Sequence, residues 1–227
     1  MRYLLTGASR GIGRVVAEQL RANGHQVFGI VRPGSPTPYD WLDASTEADL
    51  ADVDTLAGSL QDFVTEVGAI DALVHSAGIV RGQELHRTSA ADFTAQFAVN
   101  VTAVAEITRL FLPALRASSG MVVLLNSGSG LVARAPLAGY GASKFALRSY
   151  ADSLRQEEPG IRVSSIYPGR VATDMQREVR ALEEADYRED EYIRVETVAA
   201  AVLFLLSTPG DGVVTDLTLR PWAPVPA

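Results

Sequence analysis

Cysteine is absent from this chain of 227 residues, and lysine occurs once among its twenty basic residues. The lack of cysteine excludes a disulfide framework, a thiolate metal site and a cysteine nucleophile. The three histidines, His25, His75 and His86, lack the spacing of metal ligands, so no metal site is predicted. A net charge of −7 and a pI near 5.0 argue against nucleic acid or an anionic membrane as a partner.

Long apolar segments are missing as well. The longest apolar run, around 198–206, is too short to span a bilayer, so we expect no membrane partner. The first residues, RYLLTGAS, show no charged segment followed by a long apolar one, so we expect no signal peptide. With 47% hydrophobic residues, the chain can bury a full core as one domain, 1–227. We expect a cytoplasmic location.

Short apolar runs alternate with longer amphipathic ones along the chain, which is typical of parallel β/α units. The predicted strands lie at 3–5, 26–31, 72–75, 121–126, 162–167 and 214–219. The predicted helices lie between them, at 12–23, 46–66, 91–116, 139–157 and 195–208. Several strands are almost continuously apolar, as in strands covered on both faces. The sequence therefore predicts a single α/β domain with a doubly wound, Rossmann-like parallel sheet and helices on both faces.

Two segments depart from this alternation. Residues 32–43 carry three prolines where such a fold usually has a helix, so a loop or a stunted helix is predicted. Residues 175–194 hold seven acidic and four basic residues and few large apolar ones. This composition favours a solvated helical excursion, and a substrate lid over a cleft is the alternative interpretation.

The single lysine, Lys144, follows Tyr140 by four residues. In a chain that otherwise uses arginine, the retained lysine indicates a need for a compact ammonium group. On a helix this spacing places both side chains on one face. A neighbouring cation lowers the pKa of a tyrosine, so the pair predicts proton exchange near neutral pH. A surface lysine packed on a tyrosine is the alternative for the motif alone.

A glycine-rich sequence, TGASRGIG at 6–13, follows the first strand and opens the first helix. Glycines at such a junction permit positive φ and let backbone amides approach a ligand closely. The helix N-terminus then offers unpaired N–H groups and a partial positive charge to a pyrophosphate. A tight structural turn is the alternative for this motif alone.

Together these motifs resemble those of the short-chain dehydrogenase/reductase family over essentially the whole chain. The matching features are TGASRGIG, Asn100 within a helix, Ser127 thirteen residues before Tyr140, the Tyr140–Lys144 pair, and PGRVAT at 168–173. The resemblance implies a nicotinamide cofactor and hydride transfer between that cofactor and a carbonyl or alcohol.

Ketone reduction needs a hydride donor, a proton donor and a group that polarises the oxygen. Tyr140 can give the proton, Lys144 can stabilise its phenolate, and Ser127 can hydrogen-bond the carbonyl oxygen. The resemblance further implies that Lys144 holds the nicotinamide ribose and that Asn100 supports a water relay to it. Ser129 is a rival for the serine role, and an asparagine satisfied by backbone is the alternative for Asn100.

Cofactor binding is assigned to the glycine turn, to the ends of three strands and to the catalytic pair. The family's usual NNAG is replaced by HSAG at 75–78, and His75 is interpreted as structural. The predicted cofactor-binding residues are Gly7, Ser9, Arg10, Gly11, Ile12, Gly13, Arg32, Asp43, Ala77, Gly78, Tyr140, Lys144, Pro168, Gly169, Val171 and Thr173.

The choice of cofactor depends on the end of the second strand. NAD-dependent members usually place an acid there to bind the ribose hydroxyls, whereas this chain has Arg32. Arg10 is a second guanidinium within reach, and forked donors suit a 2′-phosphate. Two ordinary surface arginines are the alternative. Asp43 matches the family's adenine-contacting acid. The sequence favours NADP(H) over NAD(H).

The leading functional interpretation is an NADP(H)-dependent carbonyl reductase or alcohol dehydrogenase acting on a small carbonyl or secondary alcohol. A catalytically silent, dinucleotide-sensing regulator is the alternative, and the intact Tyr140 and Lys144 argue against it. An isomerase or dehydratase usually carries a larger C-terminal domain than the residues after Thr173 provide. The resemblance implies a homodimer or homotetramer formed through the helices at 91–116 and 139–157.

Overall fold

The computed structural model describes residues 1–35, 39–81 and 84–222. The strands are β1 (Arg2–Thr6), β2 (Gln26–Val31), β3 (Ala44–Glu47), β4 (Ala72–His75), β5 (Met121–Leu125), β6 (Arg162–Pro168) and β7 (Asp216–Leu219). They form one parallel sheet in the order β3-β2-β1-β4-β5-β6-β7. The strand order reverses between β1 and β4, and a crevice forms at the carboxyl ends of the strands at such a point.

The helices cover both faces of this sheet. They are α1 (Gly11–Ala22), α2 (Leu56–Val67), α3 (Ala90–Phe97), α4 (Ala103–Ser118), α5 (Ala138–Glu157), α6 (Asp174–Leu182) and α7 (Val195–Leu206). Helices α1 and α7 pack on one face, and α2, α4 and α5 pack on the other, so two separate cores form. The central strands are buried along nearly their whole length for this reason. The predicted doubly wound fold is confirmed.

Strand β3 lies where the sequence predicts part of a long helix, 46–66, and that prediction was wrong. The strand pairs with β2 at the edge of the sheet, and its side chains alternate between half-buried and exposed. A short polar edge strand lacks the apolar run by which a buried strand is recognised. Turns follow it, and the helix begins only at Leu56.

The helix predicted over 91–116 is present but interrupted. A capping box formed by Ser89 and Asp92 starts α3, and a π-helical turn, Ala98–Thr102, separates α3 from α4. The whole stretch Ala90–Ser118 is long and apolar enough to cross a membrane by length and composition, and half of its most apolar window is buried in this fold. Because α4 belongs to the core against the sheet, we interpret the stretch as a core element.

Residues 32–35 and 39–43 form turns and no helix, as predicted, and 36–38 lie outside the described residues. Trp41 connects residues 39–43 to the glycine turn and to α1. Its Nε1 donates to Ala8 O at 3.0 Å, and the Arg14 guanidinium lies 4.4 Å from its ring centroid. Residues 39–43 are thereby held against the start of α1.

Residues 175–194 are helical in their first part, which is α6. An isolated parallel bridge between Val171 and Ile193 ties the end of the segment to the loop after β6. Glu183 accepts hydrogen bonds from Arg170 and Arg180, and all three side chains are largely buried. The segment is therefore fixed to the domain by a shared ion-pair network.

Candidate active site

The glycine turn between β1 and α1 leaves no room for a side chain at two of its glycines, Gly7 and Gly13. Gly7 has a φ of +68°, and a Cβ there would lie 2.7 Å from Ala77 N. A Cβ on Gly13 would lie 2.3 Å from Gly7 O. Gly11, with a φ of +58°, starts α1 and faces open space. The turn thus presents the N-terminus of α1 to an open cleft, an arrangement that suits a pyrophosphate.

Gly13→Ala is expected to destabilise the protein by about 1–3 kcal/mol, because the added methyl meets backbone that cannot move away. Gly58→Ala in α2 is the matched control, since nothing lies within 4 Å of its Cβ position. That control should gain about 0.5–1 kcal/mol from helix propensity. Urea unfolding followed by circular dichroism measures both. A Gly13→Ala midpoint equal to that of wild type would contradict the close contact of α1 with the turn.

A cleft of about 1500 Å³ opens at the carboxyl ends of the strands. Its volume exceeds the roughly 300–1,000 Å³ usual for ligand pockets, which leaves room for a dinucleotide beside a small substrate. Most of the predicted site residues line it, namely Gly7, Ser9, Arg10, Gly11, Ile12, Arg32, Ala77, Gly78, Ser127, Tyr140, Lys144, Pro168, Gly169, Val171 and Thr173. Gly13, Asn100 and Asp43 do not line it.

Tyr140 and Lys144 lie on one face of α5, as their spacing predicts, and both are buried. The Lys144 ammonium lies 5.8 Å from the centroid of the Tyr140 ring. It donates a hydrogen bond to Leu125 O at 2.9 Å. Because Leu125 ends β5, the lysine is anchored to the carboxyl end of a central strand.

Burial alters the acid–base properties of this pair. It raises the pKa of Tyr140, and the hydrogen bond from Ser127 offsets part of that rise. It lowers the pKa of Lys144 to about 8. The expected net lowering of the Tyr140 pKa was wrong, because burial disfavours the phenolate and the Lys144 ammonium donates its hydrogen bond to Leu125 O.

The loop after β5 positions Ser127. Its backbone N–H donates to Asn126 Oδ1 at 2.8 Å, and its hydroxyl accepts from Ser129 N at 3.1 Å. The same hydroxyl lies close enough to the Tyr140 phenol to lower its pKa, so Ser127 and not its rival Ser129 is the serine that acts on the tyrosine. Asn126 Nδ2 also donates to Lys144 O at 3.1 Å. Asn126 thereby fixes the serine loop to α5.

Asn100 lies in the π-helical turn and is fully buried. Its Oδ1 accepts from Ile79 N at 2.9 Å, and its Nδ2 donates to Ile79 O and to Ser143 Oγ, both at 3.0 Å. Ser143 in turn donates to Tyr140 O at 2.7 Å. Asn100 therefore braces the loop after β4 against α5. Its place in a water relay stays a prediction.

His75 ends β4 and is buried beneath α4, away from the cleft lining. Its Nε2 lies 2.9 Å from Thr108 Oγ1. Burial lowers its pKa to about 3, so the ring is neutral at physiological pH. The position supports the structural interpretation of this histidine.

Asp43 was predicted to contact the adenine, and the structure contradicts that prediction. The residue precedes β3, at the amino end of the sheet, where its carboxylate accepts from Val27 N and pairs with Arg21. Arg21 and the Val27 N–H hold the pKa of Asp43 below its usual range against the opposing effect of burial. Asp49, which follows β3 at the carboxyl end, lines the cleft instead. The sequence prediction missed Asp49 because it missed β3.

The two predicted phosphate-binding arginines both lie at the rim of the cleft. Arg32 directly follows β2 and makes no ion pair within the described part of the chain. Arg10 precedes α1, and its guanidinium pairs with Asp174 across the cleft at 3.2 Å. Both side chains of that pair are about two-thirds exposed, so the pair is weak. Arg10 can therefore change partner at little cost.

The sequence prediction also missed part of the substrate end of the cleft. A small apolar cluster contains the candidate tyrosine: it is formed by Val80, Leu137, Tyr140 and Val179, with Met175 packed against it. Arg220, directly after β7, lines the cleft as well. No local motif marks these residues, because distant segments of the chain bring them together.

Comparison with known proteins gives a consistent result. A family model described as short chain dehydrogenase matches residues 2–184. The 3-oxoacyl-acyl-carrier-protein reductase of Salmonella typhimurium is 32% identical over 182 residues, which cover 77% of this chain and 75% of that protein. The alcohol dehydrogenase of Thermococcus sibiricus, complexed with 5-hydroxy-NADP, has a TM-score of 0.86 at 23% identity and covers 100% of this chain and 98% of its own. The 3-ketoacyl-acyl-carrier-protein reductase of Brucella melitensis, complexed with NADH, has a TM-score of 0.84 at 22% identity, with 97% of each chain covered.

Proposed function

This chain belongs to the short-chain dehydrogenase family and is an oxidoreductase with a nicotinamide dinucleotide cofactor, and we propose that it interconverts a small carbonyl and its secondary alcohol with NADP(H). The observation that carries the proposal is the arrangement within one cleft. Ser127, Tyr140 and Lys144 lie close together in the cleft lining, and the glycine turn lines the same cleft.

The residues present fit a dinucleotide. A Cβ on Gly7 or Gly13 would clash with backbone atoms. Gly11, the first residue of α1, has no atom within 4 Å of its Cβ position. The backbone of Ala77 and Gly78 lines the cleft beside the turn, and Thr173 lines its other wall. A bound nicotinamide would supply the hydride, and these residues would hold and orient the cofactor.

Tyr140 acts as the proton donor in the reduction direction. Its raised pKa keeps the phenol protonated at neutral pH, and its Oη passes the proton to the substrate oxygen. The Ser127 hydroxyl donates a hydrogen bond to the same oxygen. Lys144, with a pKa of about 8, is protonated at neutral pH and stabilises the phenolate that remains.

Asn100 is a positioning residue in this proposal. Its hydrogen bonds to Ile79 and Ser143 hold the wall beside the lysine. A Cβ on Gly78 would lie 3.3 Å from Asn100 Oδ1 and 3.8 Å from Lys144 Nζ, so this wall is close-packed. In this proposal Asn100 also supports a water relay that leads protons to Lys144.

Residues 175–194 form the proposed substrate lid. Met175, Gln176 and Val179 of α6 line the cleft near the catalytic tyrosine. The Arg170–Glu183–Arg180 network anchors the lid to the domain. Its apolar residues would shield the reacting carbonyl from water.

The function is tested by following NADPH absorbance with a panel of small ketones and aldehydes. We expect consumption of NADPH that depends on the carbonyl. A dinucleotide-sensing regulator would bind NADPH without consuming it, so binding without turnover across the panel would contradict the proposed activity.

The proposed preference for NADP(H) rests on the rim arginines, since no acid follows β2. We expect wild-type kcat/KM to favour NADPH over NADH by about tenfold to a few hundredfold, because charged hydrogen bonds contribute roughly 1.5–3 kcal/mol each and solvent weakens them here. Arg32→Asp should raise the KM for NADPH and shift the preference towards NADH, because a carboxylate repels phosphate. Added salt should reduce the wild-type preference.

Arg87→Asp is the control for this variant. The substitution changes the charge by the same amount, and Arg87 lies outside the cleft lining. It should leave the ratio of the two kcat/KM values near that of wild type. Equal kcat/KM for NADPH and NADH in the wild-type enzyme would contradict the assignment and leave both rim arginines as surface residues.

The proposed assembly is a homodimer or a homotetramer. Phe145 on α5 and Phe204 on α7 are exposed in the single chain. Burial of these rings against a second copy would remove apolar surface from water. Membership of a family whose members are typically oligomeric motivates this proposal, and the exposed rings support it.

A further inference from the structure

The cleft is basic, although the chain as a whole carries a net charge of −7. Its described lining holds seven arginines and Lys144, against the acidic residues Asp49, Asp174 and Glu183. The dinucleotide phosphates account for positive charge near the glycine turn. They do not account for Arg220, which lies at the other end of the cleft, beside the serine loop.

Arg220 is held in place by its backbone. Gly169 N donates to Leu219 O at 2.8 Å, which continues the pairing of β6 with β7. The next residue, Pro221, packs so tightly on Gly169 that a Cβ there would lie 2.9 Å from Pro221 Cδ. The position from which the Arg220 side chain extends is therefore fixed relative to the carboxyl end of β6.

The guanidinium of Arg220 lies directly on the catalytic loop. A Cβ on Gly128 would lie 2.5 Å from Arg220 Nη1, and the three nearest atoms to that point all belong to Arg220. Gly128 is the residue after Ser127, so the guanidinium is next to the group that polarises the substrate oxygen. Within residues 1–35, 39–81 and 84–222, Arg220 makes no ion pair and no side-chain hydrogen bond.

We propose that Arg220 binds a carboxylate of the substrate, so that the enzyme acts on small oxo acids and the corresponding hydroxy acids. This inference rests on the proposed function. In the reduction direction, the carbonyl carbon gains a hydride from NADPH and its oxygen gains the Tyr140 proton. The C=O π bond breaks, NADP⁺ leaves, and the carboxylate is unchanged.

The chemistry of the site favours a carboxylate in this place. A guanidinium presents parallel donors that match the two oxygens of a carboxylate. Its place beside Ser127 puts the carboxylate a few bonds from the reacting carbonyl. The apolar residues Val80, Leu137 and Val179 around the tyrosine leave a dry space for a short hydrocarbon part. A small oxo acid would place its carboxylate on Arg220, its ketone at Ser127 and its hydrocarbon part against the apolar residues.

The test compares acetoacetate with its methyl ester, because the two differ at the carboxylate and share the ketone. We expect wild-type kcat/KM with NADPH to favour acetoacetate by at least about tenfold. Acetoacetyl-CoA is the third arm, since its phosphates are far from the ketone. A kcat/KM for acetoacetyl-CoA that exceeds that for acetoacetate and does not respond to Arg220 variants would overturn the inference.

Two variants change the guanidinium in different ways. Arg220→Met removes the charge and keeps an unbranched stem, and it should bring the ratio of acid to ester close to one. Gly128→Ala keeps the arginine and displaces it, because the new methyl would meet Nη1 at 2.5 Å. That variant should lower the same ratio.

Arg134→Met, at another arginine of the cleft lining, should keep the wild-type ratio. A loss of preference in Arg134→Met but not in Arg220→Met would assign the carboxylate elsewhere.

A binding measurement separates this inference from the proposed function. Calorimetric titration with butanoate and butanamide, in the presence of NADP⁺, needs no turnover. We expect butanoate to bind at least about tenfold more tightly in wild type and about equally in Arg220→Met. Equal binding of both ligands to wild type overturns the carboxylate site even if neutral ketones are reduced. Preferential butanoate binding without any carbonyl turnover would support the site while the proposed activity fails.

Discussion

Tyr140→Phe is expected to lower kcat for carbonyl reduction by about 10²–10⁴, the usual contribution of a positioned proton donor. The phenol is the group whose pKa the neighbouring Ser127 lowers, and the substitution removes only its oxygen. The ring keeps its place in the apolar cluster, so the fold and the affinity for NADPH should be retained. Steady-state kinetics and fluorescence titration with NADPH measure the two effects separately.

Tyr192→Phe is the control for this experiment. The Tyr192 hydroxyl is buried and has no hydrogen-bond partner within the described chain, so its removal should not lower kcat. A Tyr140→Phe enzyme that stays within about tenfold of wild type, a cost near 1.4 kcal/mol, would show that another acid delivers the proton.

Replacing Lys144 is expected to lower activity and to raise stability. Lys144→Arg should be nearly as inactive as Lys144→Ala, because a planar guanidinium does not fit the space of a compact ammonium.

Lys144→Met should stabilise the protein at pH 7 by about 2 kcal/mol. The fall in the Lys144 pKa from 10.5 to about 8 corresponds to roughly 3 kcal/mol of unfavourable burial. The unpaired Leu125 carbonyl offsets roughly 1 kcal/mol of that gain.

The pH dependence of this stability difference follows from the direction of the shift. Between pH 8 and 10.5 the unfolded chain binds the proton and the folded chain does not, so rising pH stabilises wild type relative to Lys144→Met. The gain of the variant should therefore be complete at pH 7 and small at pH 10.5. Urea unfolding at both values measures it. A Lys144→Met protein less stable than wild type at pH 7 would mean that the buried ammonium is not a net cost to the fold.

The parts of the candidate site whose location the sequence predicted are those fixed by local geometry. The Tyr140–Lys144 spacing places both side chains on one face of any helix, and the glycines of the turn directly follow β1 and open α1. Asp49 was missed because a polar edge strand does not look like a strand. The direction of the Tyr140 pKa was wrong because spacing along a helix carries no information on burial. Arg220 could not be found, because its contact with Gly128 joins residues far apart in the chain.

The hydrogen bonds that position the proposed catalytic groups mostly end on main-chain atoms. Lys144 Nζ binds the carbonyl of Leu125, Asn100 binds both backbone groups of Ile79, and Asn126 binds the carbonyl of Lys144. A carbonyl or an N–H is present whatever side chain the residue carries. Substitutions at Leu125 and Ile79 that preserve packing should therefore leave the positions of Lys144 and Asn100 unchanged. A site held in this way tolerates packing-preserving substitutions around a few retained residues.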